Sequence, residues 1–242
     1  MSLCQKTYNK LLKCIRSVIV DPHCLACGAA LEIDEKVVCN ECKNTTIAEL
    51  FASPMTKYKG NPLEERLMGL APFESVAALM KFETDTISQQ LIHDLKYNNY
   101  QAIGSLLGEA IANQIRQSKR YTQIDYIVPV PLHHKRITQR GYNQSELIAA
   151  EVAQQLNVPL QRDNLYRTRN NESQTKKSLE ERIENVKDLF ELRDTTLFEN
   201  KTILLIDDVL TTGSTIIACC KALYKSKNIK IHIYTASAAD VI

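Results

Sequence analysis

Glycine and proline are scarce in this chain, seven of each among 242 residues, and no low-complexity run accompanies them. Long disordered segments are therefore not expected. Continuous apolar stretches are missing too. A membrane helix needs about 20 consecutive apolar residues, and no part of the sequence approaches that, so no membrane insertion is expected. The first residues, Met1 to Asp21, interleave Lys6, Lys10, Lys13 and Arg16 with apolar positions and lack the unbroken core of a signal peptide. The expected location is the cytoplasm. Charge of neither sign dominates: 30 Lys and Arg against 28 Asp and Glu give a formal net charge of +2. Attraction to a polyanion must then come from a local patch and not from the overall field.

What the chain does have is cysteine, eight in all. Without a signal peptide the compartment is reducing, so disulfides are not the expected use. Spacing decides the matter for half of them. Cys24-x-x-Cys27 and Cys39-x-x-Cys42 are two paired hooks separated by eleven residues, the pattern of a four-thiolate zinc site. His23 offers a substitute ligand, but two complete hooks leave it no place. A module of this size, about Pro22 to Thr46, buries too little surface to fold alone, so the metal supplies folding energy. Four thiolates leave no open coordination position, which makes the zinc structural and not catalytic. Redox thiols are the alternative. Cys4, Cys14, Cys219 and Cys220 lack such spacing and read as thiols buried in helices.

A length of 242 residues exceeds one common domain, and the pattern divides accordingly. Leu3 to Val20 spaces its apolar residues as an amphipathic helix, for core packing or for a partner or membrane surface. Residues 1–52 form that helix and the Cys4 module. Residues 53–72, polar and punctuated by Pro54, Gly60, Pro62, Gly69 and Pro72, read as a linker or flap. Residues 73–242 alternate strands and helices: a strand at Ser75 to Lys81, helices near Asp85 to Leu95 and Ala102 to Gln117, and a strand from Tyr126 ended by Pro129 and Pro131. A helix at Ser145 to Leu156, a hairpin-like region from Leu165 to Phe190, a strand at Thr202 to Ile206 with its helix, and a last strand at Lys230 to Ala236 follow. Such alternation indicates an α/β fold with a mostly parallel sheet flanked by helices.

The most informative stretch is Ile203 to Thr215. Four apolar residues in a row read as a buried central strand, and Asp207 and Asp208 then fall at its carboxyl end, where open α/β sheets bind ligands. Thr211, Thr212, Ser214 and Thr215 surround Gly213, whose missing side chain lets backbone N–H groups close on an anion at the start of a helix. A Walker-type loop would need a Lys and a longer Gly-rich run, and neither is present. Two acids and a hydroxyl-rich turn make a site for a sugar phosphate.

Two further stretches carry positive charge. Leu132, His133, His134, Lys135 and Arg136 follow a strand end directly, with Arg140 a few residues on, and read as a basic loop for a pyrophosphate. A solvated basic loop has the same composition; its place before the Asp-Asp strand favours the anion. Tyr166, Arg167, Arg169, Lys176 and Lys177 form a polar, basic region suited to a mobile lid or, together with Arg140, to nucleic-acid phosphates with one stacking face. An exposed hairpin is the alternative.

Taken in order, the Cys hooks, Leu95-Lys96-Tyr97, Val128-Pro129-Val130-Pro131-Leu132-His133, Arg140-Gly141-Tyr142-Asn143-Gln144, Arg167-Thr168 with Gln174, and Asp207-Asp208-Val209-x-Thr211-Thr212-Gly213 resemble the ComF family over nearly the whole chain. That family includes competence proteins and GntX-type proteins. The resemblance implies an N-terminal zinc ribbon fused to a type I phosphoribosyltransferase-like domain. It also implies that Asp207 and Asp208 meet the ribose of phosphoribosyl pyrophosphate (PRPP), Thr211 to Thr215 its 5′-phosphate, and Leu132 to Arg136 its pyrophosphate through Mg²⁺. The competence branch implies a role in natural transformation, acting on imported single-stranded DNA in the cytoplasm, alongside DNA-uptake proteins. Type I enzymes add a hood that recognises the accepting base. The sequence ends just after its last strand, so the zinc module and the segment up to Pro72 are expected in that place. No nucleobase pocket is evident there, which leaves turnover open: the chain reads as a PRPP-binding DNA factor, or as an active phosphoribosyltransferase whose acceptor is unidentified.

Overall fold

A computed structural model describes residues 23–52, 59–121, 123–169 and 189–239. The helix expected over Leu3 to Val20 lies outside these residues, as do Lys176 and Lys177. The chain separates into two compact units, Met1–Ala48 and Glu49–Ile242.

In the first unit, the Cys24 N–H donates to the Ala29 carbonyl at 2.7 Å, Gly28 N–H to the Cys24 carbonyl at 2.9 Å, and Leu25 N–H to the Val37 carbonyl at 3.1 Å. The first hook is thus a closed turn bonded to the segment that leads into the second. Helix α1 (Asn40–Asn44) opens there, with Cys39 as its N-cap. Glu35 fixes the crossing: its carboxylate accepts from the Glu32 and Asn40 N–H groups. Helix α2 (Thr46–Phe51) follows.

The second unit is built on four parallel strands, β1 (Ser75–Phe82), β2 (Tyr126–Pro129), β5 (Thr202–Leu210) and β6 (Lys230–Ala239), in the order β1-β6-β5-β2. A separate antiparallel pair, β3 (Leu165–Arg167) and β4 (Phe190–Leu192), lies outside that sheet. Ile203, Leu204, Leu205 and Ile206 are fully buried, as a strand covered on both faces requires. The helices are α3 (Pro62–Leu67), α4 (Ile87–Tyr97), α5 (Ala102–Gln117), α6 (His134–Arg140), α7 (Gln144–Leu156) and α8 (Ser214–Leu223). Among the described residues none is long and apolar enough to cross a membrane.

Two expectations change here. The part of 53–72 that is described, from residue 59 onward, is not a loose connection. Asn61 caps α3 by accepting from the Leu63 and Glu64 N–H groups, and its amide donates to the Val76 carbonyl at 2.8 Å. Leu63 and Leu67 are fully buried in the main core. Glu64 is buried too, where it pairs with Arg120 and accepts from the Gly60 and Val76 N–H groups. The supposed basic loop is also different. From His134 it is helix α6, started by a His133 cap and stopped by Gly141 in the left-handed region.

Helices α5 and α7 approach closely because α5 carries Gly104 and Gly108 one turn apart on the contact face. A Cβ at Gly108 would lie 2.5 Å from Glu151 Cβ and 2.8 Å from the Ile148 carbonyl oxygen. In an isolated helix Gly→Ala gains about 1 kcal/mol, whereas forcing a methyl into a filled helix contact costs roughly 1–3 kcal/mol. Backbone lies in the way, so the clash wins. Gly108→Ala should lower the thermal midpoint, measured by circular dichroism, despite its better helix propensity.

Candidate ribose-phosphate site

Strand β2 stops at Pro129, which pairs with Ile206, and the Val130 N–H makes the last bond across, to the Ile206 carbonyl at 2.8 Å. Strand β5 continues to Leu210 because β6 still accompanies it, Asp207 facing Thr235 and Val209 facing Ser237. The strand therefore runs four residues past the expected end at Ile206. Asp207 and Asp208 stand within it, at the step where β2 has ended.

Asp207 is only 7 % exposed. Its Oδ1 accepts from Ser145 Oγ at 2.8 Å and from the Asp208 N–H at 2.9 Å. Burial, and then the adjacent Asp208 charge, push its carboxyl up to about 7, against the opposing pull of Ser145, the Asp208 N–H and Lys96. Ser145 is placed by Asn143, the N-cap of α7, which accepts from the Ser145 N–H and donates to the Val130 carbonyl. Asp208 has its own partner, Lys96 Nζ at 3.1 Å from Oδ2.

The hydroxyl-rich turn follows. Thr212 Oγ1 and Ser214 Oγ are 3.1 Å apart. Gly213 is the N-cap of α8 at φ +82°, and no side chain caps that helix among the described residues, so its first N–H groups are presented to an anion. Support comes from α3. A Cβ on Gly213 would meet Leu67 Cδ2 at 2.4 Å, and Arg66 Nη1 donates to the carbonyls of Thr211, at 3.0 Å, and Ala239, at 2.9 Å. Thr211 is exposed, while Thr212, Ser214 and Thr215 are half-buried.

The cations divide. His133 Nδ1 accepts from the Lys135 N–H at 3.3 Å; burial, with His134, Arg167, Lys135 and Arg136 nearby, holds its pKa down, as a neutral cap requires. The His134 ring centroid is 4.1 Å away. Arg167 senses the same group: burial and Arg136 lower its pKa while Cys219 and Asp207 oppose them. Arg167 thus lies within electrostatic reach of both Arg136 and Asp207. Its guanidinium lies over Phe190, 5.7 Å from the centroid, and Nε donates to the Arg169 carbonyl. Tyr166 is half-buried, with Arg193 5.0 Å from its ring centroid and its hydroxyl donating to Glu191. Arg140 turns toward α4, over Tyr97 at 5.2 Å, and donates to Gln144 Oε1 at 3.0 Å. Lys96, Ser145 and Arg66 had no assigned role in the sequence, because their partners are distant along the chain. Lys96 alone carried a signal, its place in the Leu95-Lys96-Tyr97 motif.

In the first unit, the sulfurs of Cys24, Cys27, Cys39 and Cys42 all lie within 4.8 Å of one another. Tetrahedral coordination at the usual Zn–S length separates sulfurs by about 3.8 Å, and Cys27 and Cys39 Sγ stand 3.8 Å apart. Burial raises the Cys24 thiol, but backbone N–H groups of Cys39, Cys27 and Ala26 outweigh it and bring it down to about 6. Burial and the neighbouring sulfurs push Cys42 up to about 12. Only a bound cation lets all four ionise together. The set fits structural zinc.

Residues 143–240 match the model of the phosphoribosyl transferase domain family, from the Asn143 cap to just past β6. Competence protein F of Haemophilus influenzae is 33% identical over 56% of this chain and 61% of its own length. Competence protein ComFC of Bacillus subtilis is 33% identical over 49% of this chain and 47% of its own. This chain is their homologue. It carries a match to the phosphoribosyl transferase domain over residues 143–240. The matched part spans less than two thirds of the Haemophilus protein, whereas the DNA utilization protein YhgH of Escherichia coli is matched over 94% of its length and 87% of this chain at 24% identity. Among solved structures, an adenine phosphoribosyltransferase from Saccharomyces cerevisiae is 15% identical over 57% of this chain and 69% of its own, with a TM-score of 0.39.

Two outcomes follow. The Asp207 carboxyl is raised from 3.8 to about 7 in the fold, so its neutral form contributes stability fully below about pH 4, lost as pH rises through about 7. Asn cannot ionise and keeps the accepting oxygen. Asp207→Asn should therefore gain stability over the parent protein between pH 5 and pH 8 in ligand-free unfolding experiments; a gap that does not change with pH would contradict this. Metal analysis of purified protein should give one zinc per chain, with Cys24→Ser reducing it.

Proposed function

We propose that this chain is a competence-type DNA-handling factor whose second unit binds PRPP or a related ribose phosphate with Mg²⁺ and which engages single-stranded DNA in the cytoplasm. One juxtaposition carries the first half: the Asp207–Asp208 pair runs directly into an uncapped helix start over Gly213. Paired carboxylates accept from vicinal hydroxyls, and the α8 N–H groups with Thr211, Thr212, Ser214 and Thr215 receive a phosphate. Lys135, Arg136 and Arg167 supply positive charge for a pyrophosphate. Bound Mg²⁺ would neutralise phosphate charge there. The DNA half is supported by the names of the homologues, competence proteins and DNA utilization proteins.

The residues also assign protons. A ligand carrying hydroxyls and cations favours the Asp207 carboxylate, so binding near neutral pH releases a proton from it. Lys96 neutralises Asp208 and, when ligand binds, gives way to the ribose or moves to the pyrophosphate. The Cys4 unit is structural. A second reading, an active phosphoribosyltransferase, draws support from the placing of Arg136 and Arg167 around the same site, since a cationic cluster stabilises a departing pyrophosphate as well as a resting one.

Calorimetric titration with PRPP and Mg²⁺ should show binding by the parent protein and none by Asp207→Asn/Asp208→Asn. Repeating it near pH 7 in buffers of different ionisation enthalpy should reveal proton release on binding. No heat with the parent protein would sink the ribose-phosphate reading. Pyrophosphate release on adding an acceptor would favour the second reading.

A further inference from the structure

Tyr97, the last residue of α4, is 63% exposed although it is a large aromatic side chain. Its predecessor, Lys96, reaches Asp208 at 3.1 Å, so the ring lies next in sequence to a direct contact with the ribose-site acids. Arg140 lies over the ring at 5.2 Å, and the ring of His93, one turn earlier, has its centroid 5.0 Å from that of Tyr97. The end of α4 is held to the turn between α6 and α7 by Tyr142, whose hydroxyl donates to the Leu95 carbonyl at 2.6 Å. Ile137, three residues before Arg140 on α6, is exposed as well. A cation–π contact meant only to pin two helices does not require the ring to stay in water. Here a phenol ring, an imidazole and a guanidinium plane meet at the end of the helix whose Lys96 pairs with Asp208.

We propose that Tyr97, with Arg140 and His93, is a stacking platform for a nucleobase of single-stranded DNA next to the ribose-phosphate site. The proposal rests on the reading above that the site takes a ribose phosphate and that the chain engages DNA. Aromatic rings and guanidinium planes stack bases of any sequence, and a nearby cation attracts the strand. An open ring favours a strand over a free base. Small ligands need enclosure over most of their surface, whereas a strand gathers affinity from several phosphates and needs only one face for each base. Tyr166, the aromatic residue first expected to stack, also lies under an arginine but is half-buried and bound through its hydroxyl to Glu191, whereas Tyr97 is largely exposed, and on this proposal Tyr97 takes that role.

The test is fluorescence anisotropy of a labelled oligothymidylate with the full chain. Tyr97→Ala should bind roughly tenfold more weakly, the loss typical of one stacked base. Its salt slope should be unchanged, since no phosphate contact is removed, and Tyr97→Phe should bind as the parent does. On an abasic strand of equal length the Ala variant and the parent should be equal. Tyr97→Leu, which keeps an apolar side chain under Arg140 but has no ring, should behave as Ala does and serves if the Ala variant folds poorly. The proposal is overturned if the parent does not bind the strand, if Ala and Leu variants bind within twofold of it, if the abasic strand shows the same loss, or if thymidine monophosphate competes as well as the strand per nucleotide. A parallel PRPP titration separates the two readings. PRPP bound normally by Tyr97→Ala shows the ribose site intact, while failure of the parent to bind PRPP removes the earlier reading without altering the anisotropy result.

Discussion

A carboxyl group inside a parallel sheet is the constraint on which the second unit turns. Asp207 sits within β5, 7 % exposed, and is held by Ser145 and the Asp208 N–H. Burying an unpaired carboxylate costs several kcal/mol, and proteins meet that cost by holding the proton. The upward pKa shift of Asp207 is that response. It ties the start of α7, which brings Ser145, to the middle of β5. It also makes Lys96 necessary: with Asp208 next door, one positive charge lowers the repulsion within the pair.

The turn beyond the acids is held just as firmly, from the other side. Gly213 has no room for a Cβ because Leu67 occupies the space beneath it. Arg66 bonds the Thr211 and Ala239 carbonyls together, so the ends of β5 and β6 are clamped by one side chain. An anion-binding turn needs N–H groups already aimed before the ligand arrives, since ordering them on binding would subtract from affinity. Helix α3 holds this turn in place, and its own position depends on the Glu64–Arg120 pair and the Asn61 bond to β1.

Much of this was legible in the sequence, and the misses have physical causes. The four apolar residues of β5 and the Gly-centred turn could be read because burial and φ leave local marks. The end of β5 could not, since strand length was set by β6, whose pairing is long-range. Residues 59–67 looked like a linker from Gly60 and Pro62. Yet Asn before Pro is also a helix start, Asn as cap and Pro at the first position, and the buried Leu63 and Leu67 decide between them. Charge alone suggests a loop at Lys135 and Arg136, whereas the His133 cap and the Gly141 stop mark the two ends of α6. Lys96, Ser145 and Arg66 were beyond reach, because nothing local shows which distant acid or carbonyl a polar side chain will meet.

Both units solve the same electrostatic problem in different ways. In the first, four sulfurs within 4.8 Å cannot all carry charge without a cation, and the pattern of one thiol drawn down and another pushed up shows the competition. A metal held by all four would end that competition, and the unit would then serve as a scaffold. In the second, two carboxylates share a lysine and a proton, both of which can leave. A site neutralised by removable partners keeps its stability when empty and regains its charge when a ligand with hydroxyls and cations replaces them. On the function proposed above, that exchange, and not the bare presence of two acids, distinguishes a ligand-binding carboxylate pair from a structural one.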